Sequence, residues 1–298
     1  MPELTRLLCP VDFSDPSRHA VDHAVVLARW YGASITALHV RELMAIPSYE
    51  LVTYESPAQV DPTELERLRQ TTAAFFEQAV AAGVNVTTRV EVGQPATGIV
   101  EAARSLPASL IVMGTHGASG FDHLILGSVT EKVLRKAPCP VMTVPPRARA
   151  TSALPFKRIL CPVDFSESSK GALDFAFSLA QEGDAELTIL HVLEWPSDEE
   201  PPSTRAFNVP EYHLYREAEA RKQLDALVPA SVRDWCSPTT TITHGKPYRE
   251  ILGHAAEGGA DLIIIGVRGR SAIDRMLFGS TTNQVIRRAT CPVLTLQQ

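Results

Sequence analysis

The sequence predicts an α/β protein built from two tandem, doubly wound domains. Three observations carry that prediction: the chain is written twice, strand-length apolar runs alternate with amphipathic stretches, and those runs are apolar throughout. The 298 residues are enough for two ordinary domains. With 45% hydrophobic and 21% charged residues, each half has the composition of a globular domain with its own core.

The repetition is direct. Leu8-Cys9-Pro10-Val11-Asp12-Phe13-Ser14 returns as Leu160-Cys161-Pro162-Val163-Asp164-Phe165-Ser166. His39-Val40 returns as His191-Val192, Gly93-Gln94-Pro95 as Gly245-Lys246-Pro247, and Ala137-Pro138-Cys139-Pro140-Val141 as Ala289-Thr290-Cys291-Pro292-Val293. Each pair is offset by 152 residues, so the copies carry no net insertion. The expected domains are 1–145 and 156–298, with the proline- and alanine-bearing stretch 146–155 as linker.

In the first copy, Leu7–Val11 and Ser34–His39 read as strands enclosing an amphipathic helix, Ser17–Tyr31, that stops at Gly32. Pro62–Ala82 repeats apolar residues at helical spacing up to Gly83, and Val84–Val92 alternates as a strand. Thr97–Ser105 reads as a short helix and Leu110–Met113 as a buried strand. After a glycine-rich loop, Gly127–Lys136 is helical and Val141–Val144 is the last strand. The second copy supplies strands at Ile159–Val163, Glu186–His191, Thr239–Thr243, Leu262–Ile265 and Val293–Leu296. Arg41–Asp61 and Leu193–Val209 are long polar connections.

Bulk properties exclude several classes. No apolar run reaches membrane-spanning length, and the N-terminus carries no signal-like segment, so a cytoplasmic protein without membrane contact is expected. A formal charge of −6 argues against a nucleic-acid partner. Cys9, Cys139, Cys161 and Cys291 each precede a proline and an apolar run, which reads as buried structural thiols; Cys236 stands outside that pattern. No Walker A loop, no G-x-G-x-x-G, no G-x-S-x-G and no metal-ligand cluster occurs.

Doubly wound sheets take ligands beyond the carboxyl ends of their strands. Gly114-x2-Gly117-x9-Gly127-Ser128 lies there, and returns as Gly266-x2-Gly269-x9-Gly279-Ser280 while its flanks drift. Glycine admits backbone amides to an oxyanion and tolerates positive φ, and the helix that follows offers unpaired amides. Ser128 is placed either to cap that helix or to donate to a phosphate; a turn whose glycines serve geometry alone is the other reading. Asp12 and Asp164 close their first strands, as ligands for a ribose or adenine edge or as turn and cap residues. His39 and His191 read as packed polar residues. His116 and His123 occur only in the first copy, which argues against a shared catalytic role.

These motifs together, P-V-D-F-S, H-V, G-x-P, G-x2-G-x9-G-S and C-P-V, resemble the universal stress protein family over nearly the whole of both copies. The glycine motif resembles that of its ATP-binding branch. The resemblance implies two five-stranded parallel sheets flanked by helices, a Rossmann-like arrangement of the adenine nucleotide alpha hydrolase type. It implies that Asp12 and Val40 face the adenosine, Met113 and Gly114 the ribose, and Gly117, Gly127, Ser128 and Val129 the phosphates. In the second copy the matches are Asp164, Val192, Ile265, Gly266, Gly269, Gly279, Ser280 and Thr281. ATP, accompanied by Mg2+, is the implied ligand. The last strands, Val141–Val144 and Val293–Leu296, are implied to pair within the chain, with a homodimer as higher assembly. The expectation is a nucleotide-dependent stress-response regulator or sensor rather than an enzyme, since no catalytic base is identifiable. A non-nucleotide interaction protein and a slow ATPase or adenylyl-transferring enzyme are the alternatives. Arg268, Arg270 and Arg275 surround the second loop where the first has His116, Ala118 and His123; either the second site holds phosphate more tightly, or these long side chains point into water.

Overall fold

A computed structural model describes residues 4–43, 45–47, 52–54, 60–117, 126–146, 148, 156–194, 209–233, 236–267 and 279–297. The first copy runs β1 (Arg6–Pro10), α1 (Asp15–Tyr31), β2 (Ser34–Arg41), β3 (Ala45–Pro47), β4 (Val52–Tyr54), α2 (Pro62–Phe75), α3 (Glu77–Ala81), β5 (Val86–Val92), α4 (Pro95–Ser105), β6 (Leu110–Gly114), α5 (Ser128–Lys136) and β7 (Val141–Val144). The second runs β8 (Arg158–Pro162), α6 (Glu167–Gly183), β9 (Glu186–Leu193), α7 (Val209–Leu227), α8 (Ala230–Arg233), β10 (Thr239–His244), α9 (Pro247–Glu257), β11 (Leu262–Gly266), α10 (Ser280–Arg288) and β12 (Val293–Leu296).

Local chemistry sets these elements. Ser14 caps α1, its side chain accepting the Ser17 amide, with Asp15 and Pro16 in the first turn. Gly32, left-handed at φ 63°, ends the helix. Ala20, Ala24, Leu27 and Ala28 recur at helical spacing and are buried. α6 is capped in the same way by Ser166 and ends on Asp184 at φ 46°, an aspartate doing what glycine does in the first copy. The strands β6 and β11, Leu-Ile-Val-Met-Gly and Leu-Ile-Ile-Ile-Gly, are buried along their whole length. That is why they are apolar without alternation: in a parallel sheet both faces are covered.

The chain divides into two compact units, residues 2–154 with 290–297, and residues 155–289. In the first unit the sheet order is β5-β2-β1-β6-β7-β12. The first five strands are parallel, as expected of a doubly wound domain. The sixth, β12, comes from the end of the second copy and lies antiparallel on β7, with Val293 opposite Thr143, Leu294 opposite Met142 and Thr295 opposite Val141. In the second unit β10-β9-β8-β11 are all parallel. In both units the strand order reverses beside the first strand of the copy, where β2 and β6, or β9 and β11, leave on opposite sides.

Two expectations needed correction. The helix expected over residues 62–82 is broken at Phe76, which is fully buried with φ −112°. Phe75 and Phe76 are both buried. The connection after β2 carries a short antiparallel hairpin, β3–β4, that its composition does not announce. The linker expected over 146–155 lies almost entirely outside the described residues.

Candidate functional site

The first strand of each copy ends in the same small device. Asp12 Oδ1 accepts from the Ser14 amide at 3.1 Å and the Ser14 hydroxyl at 2.5 Å, and the Ser17 hydroxyl also donates to it. Asp164 Oδ1 accepts from the Ser166 amide at 3.0 Å and the Ser166 hydroxyl at 2.5 Å. The aspartates are therefore turn residues, and the serines two positions on are the helix caps. Between them Phe13 and Phe165 sit in the left-handed region at φ 65° and 64°.

The histidines explain that conformation. His39 Nδ1 donates to the Val11 carbonyl at 2.9 Å, and the Phe13 ring stacks on the imidazole at 4.5 Å. His191 Nδ1 donates to the Val163 carbonyl at 2.8 Å, with Phe165 at 4.3 Å. Each imidazole holds the end of the preceding strand and carries the phenyl ring that folds back over it. They are packed polar residues, as their lone positions on the strands suggest.

The glycine loop meets this device directly. A Cβ on Gly117 would stand 2.6 Å from Asp12 Oδ2, one on Gly114 3.0 Å from the Pro16 carbonyl oxygen, and one on Gly127 3.3 Å from the Thr115 carbonyl oxygen. On Gly266 it would stand 2.6 Å from the Ser168 hydroxyl. None of these four has positive φ, so close approach, not left-handed backbone, is what requires glycine here. The loop ends are tied: the Gly127 amide donates to Thr115 at 2.9 Å and the Thr130 hydroxyl to Gly114 at 3.0 Å. The Gly279 amide donates to Val267 at 3.1 Å and the Thr282 hydroxyl to Gly266 at 2.9 Å.

The helices that follow begin bare. Gly127 and Gly279 occupy the cap positions of α5 and α10, and neither helix has a side-chain cap. Ser128 and Ser280 are the first helical residues, so they do not cap. Both are exposed, and their hydroxyls have no partner among the described residues. Val129 and Thr281 follow them, half-buried. The first amides of each helix have no side-chain cap among the described residues, and a helix dipole favours an anion at such an end.

The remaining expected residues fall at the same strand ends. Met113 and Ile265 are buried next to Gly114 and Gly266, and Val40 and Val192 are half-buried near the ends of β2 and β9. The structure thus shows Asp12 and Gly117 in contact and ties Gly114 to Gly127 through Thr115 and Thr130. Gly269, Ala118, His123, Arg268, Arg270 and Arg275 lie outside the described residues. Residue reasoning missed Ser17, Pro16, Thr130 and the Phe13–His39 pair. The recurrence of Phe-Ser after the aspartate, and of threonine three residues into each helix, was the available signal.

A turn aspartate, a strand-ending glycine packed against its own chain and a bare helix start, present in both copies, define the class: a tandem, doubly wound α/β protein. The chain belongs to the universal stress protein family, whose model matches residues 3–145 and 155–297. One copy is similar to the universal stress protein YxiE of Bacillus subtilis, 35% identical over 144 residues that are 47% of this chain and 97% of that protein. A universal stress protein of Mycolicibacterium smegmatis is similar over the full length, 25% identical over 303 residues, 98% of this chain and 96% of that one. The crystal structure of a universal stress protein from Archaeoglobus fulgidus shares the fold, with a TM-score of 0.70, 24% identity and 98% of each chain covered.

Proposed function

We propose that the chain binds ATP in both copies and acts as a nucleotide-dependent regulator or sensor in a stress response. The observation that carries this is the uncapped Gly-Ser helix start, Gly127-Ser128 and Gly279-Ser280, at the strand-order reversal of each copy. Unsatisfied amides, an exposed hydroxyl and a positive dipole end suit a phosphate chain. In this reading Asp12 and Asp164, at the neighbouring strand end, would meet a ribose hydroxyl or the adenine edge. Ser128 and Ser280 are also oxygen donors of the type magnesium accepts, and the cation would neutralise phosphate charge when bound. Action by binding rather than turnover is part of this reading; among the described residues His39 and His191 are engaged in holding the strand ends.

Two results test the proposal. Acid extraction of the purified protein followed by chromatography should yield adenine nucleotide, and ATP with magnesium should raise the melting temperature. Gly127→Glu and Gly279→Glu should each remove one of two binding events in a titration. Absence of nucleotide together with no thermal response to ATP, AMP or cAMP would sink the reading. The second reading is an interaction protein without nucleotide. The Cβ contacts of Gly114, Gly117 and Gly266, all with the protein's own atoms, favour it, and the same null titration would select it.

A further inference from the structure

The second copy contains a cavity of about 270 Å³ that lies away from its nucleotide crevice. It is lined by the amino-terminal halves of β8, β9 and β10 and by the end of α9, whereas Asp164 follows the carboxyl end of β8 and Gly266 ends the neighbouring β11. Alternate residues of three neighbouring strands share one sheet face: Arg158, Glu186, Thr188, Thr239 and Thr241. His254 of α9 completes the polar wall, with Leu160 and Ala260 as apolar floor. None of the six polar side chains has a hydrogen bond or ion pair among the described residues.

The arrangement is built. Asp261 accepts the amides of Lys157 and Arg158 at 2.7 and 3.1 Å, clamping the start of β8 to the turn after α9. Gly259, left-handed at φ 59°, lets the Arg158 guanidinium lie against that turn; a Cβ there would come within 3.3 Å of Cζ. Arg158 and Glu186 are register partners on adjacent parallel strands, yet they form no ion pair. Both residues are exposed, open to solvent and to the charges of a ligand.

The first copy is an internal control. At the positions of Gly258 and Thr241 it carries Leu106 and Arg89, and at those of Glu186 and His254 it carries Ser34 and Ala102. Its charges are engaged: Arg6 donates to the Pro107 carbonyl at 3.0 Å, and Arg89 pairs with Glu91 at 2.7 Å and donates to the Ser105 hydroxyl at 3.5 Å. The second copy has lost bulk and gained an unmatched acid at the same place.

We infer that this cavity binds a small zwitterion of the α-amino-acid class with a short polar side chain. Arg158 takes the carboxylate, Glu186 the ammonium, and the threonine hydroxyls with His254 the side chain. The volume has room for a molecule of that size. This site stands independently of the nucleotide reading.

The test uses the full chain and L-asparagine as the probe, followed by backbone amide NMR and calorimetry. Asparagine should perturb the amides of Thr188, Thr239 and Thr241. Propionate and ethylammonium, each bearing one of the two charges, should bind at least about tenfold more weakly, and Arg158→Met and Glu186→Gln should each weaken asparagine by about tenfold or more. Combining Gly258→Leu with Thr241→Arg refills the place with the first copy's residues, and should abolish binding while the melting temperature holds. No amide perturbation up to ~20 mM, perturbation mapping to the Ser128 and Ser280 loops instead, or unchanged affinity in Arg158→Met and Glu186→Gln would each overturn the inference.

Discussion

Phe13 is a bulky residue held where L side chains pay for the backbone, at φ 65°, and its reward is the imidazole of His39 beneath its ring. The two contributions can be separated. Phe13→Ala keeps the left-handed backbone and loses the ring, whereas Phe13→Gly loses the ring and the strain together. The glycine variant should therefore be the more stable of the two by about 1 kcal/mol in chemical denaturation; equal stabilities would show that the loop relaxes once the ring is gone. A second residue gives a pH dependence. His23 is 2% exposed, and burial pushes its pKa below the ordinary 6.5, against the opposing hydrogen bond to the His19 carbonyl. The folded state then binds fewer protons than the unfolded one, so stability is complete above about pH 6.5 and declines as pH falls toward the depressed value. His23→Gln should flatten the stability profile below about pH 6.5. Burial also raises the pKa of Cys139 to about 11 and pushes Cys9 and Cys161 further up, which fits their reading as structural thiols.

At the scale of the element, what was legible followed from local chemistry. The end of α1 announces itself through Gly32, and β6 through the apolar run Leu110–Met113, whereas the start of α1, capped by Ser14 with Pro16 in its first turn, lies two residues before the expected Ser17. The break at Phe76 was not legible: apolar spacing continues through it, and neither glycine nor proline stands there to mark it. The site divides in the same way. Its glycines and aspartates stand out as repeats, but the reason for Gly117 is a carboxylate more than a hundred residues earlier in the chain. The serine caps allow a measurement. Ser14 serves α1 by accepting the Ser17 amide and also donates to Asp12, so Ser14→Ala removes both bonds and should cost about 1–2 kcal/mol. Ser128→Ala removes no bond within the described residues and should leave stability within about 0.5 kcal/mol. A large loss from Ser128→Ala would contradict the exposed, unengaged hydroxyl.

For the whole molecule, the duplication is plain in the sequence, but the boundary between copies is not the boundary between compact units. β12 carries the same Cys-Pro-Val signature as β7, so its pattern says that it is a last strand and not whose edge it will cover. In the structure it completes the unit of the first copy. The Thr143 hydroxyl donates to the Val293 carbonyl at 3.2 Å and the Thr295 hydroxyl to Val141 at 3.0 Å, both fully buried, and Leu294 is 1% exposed opposite Met142. Without β12, β7 would be an edge strand of Val-Met-Thr-Val with its ladder groups open, a template for association. The consequence is that a lesion near the C-terminus acts on the first copy. Leu294→Ala opens a cavity in a buried position and should cost about 2–5 kcal/mol. Hydrogen exchange locates the loss: the amides of Val141, Met142 and Thr143 should lose protection, while those of Thr188, Ile189 and Leu190 in β9 keep theirs. Uniform loss across both sets would mean that the chain unfolds as one cooperative body, and loss confined to β9 would contradict the placement of β12 in the unit of the first copy.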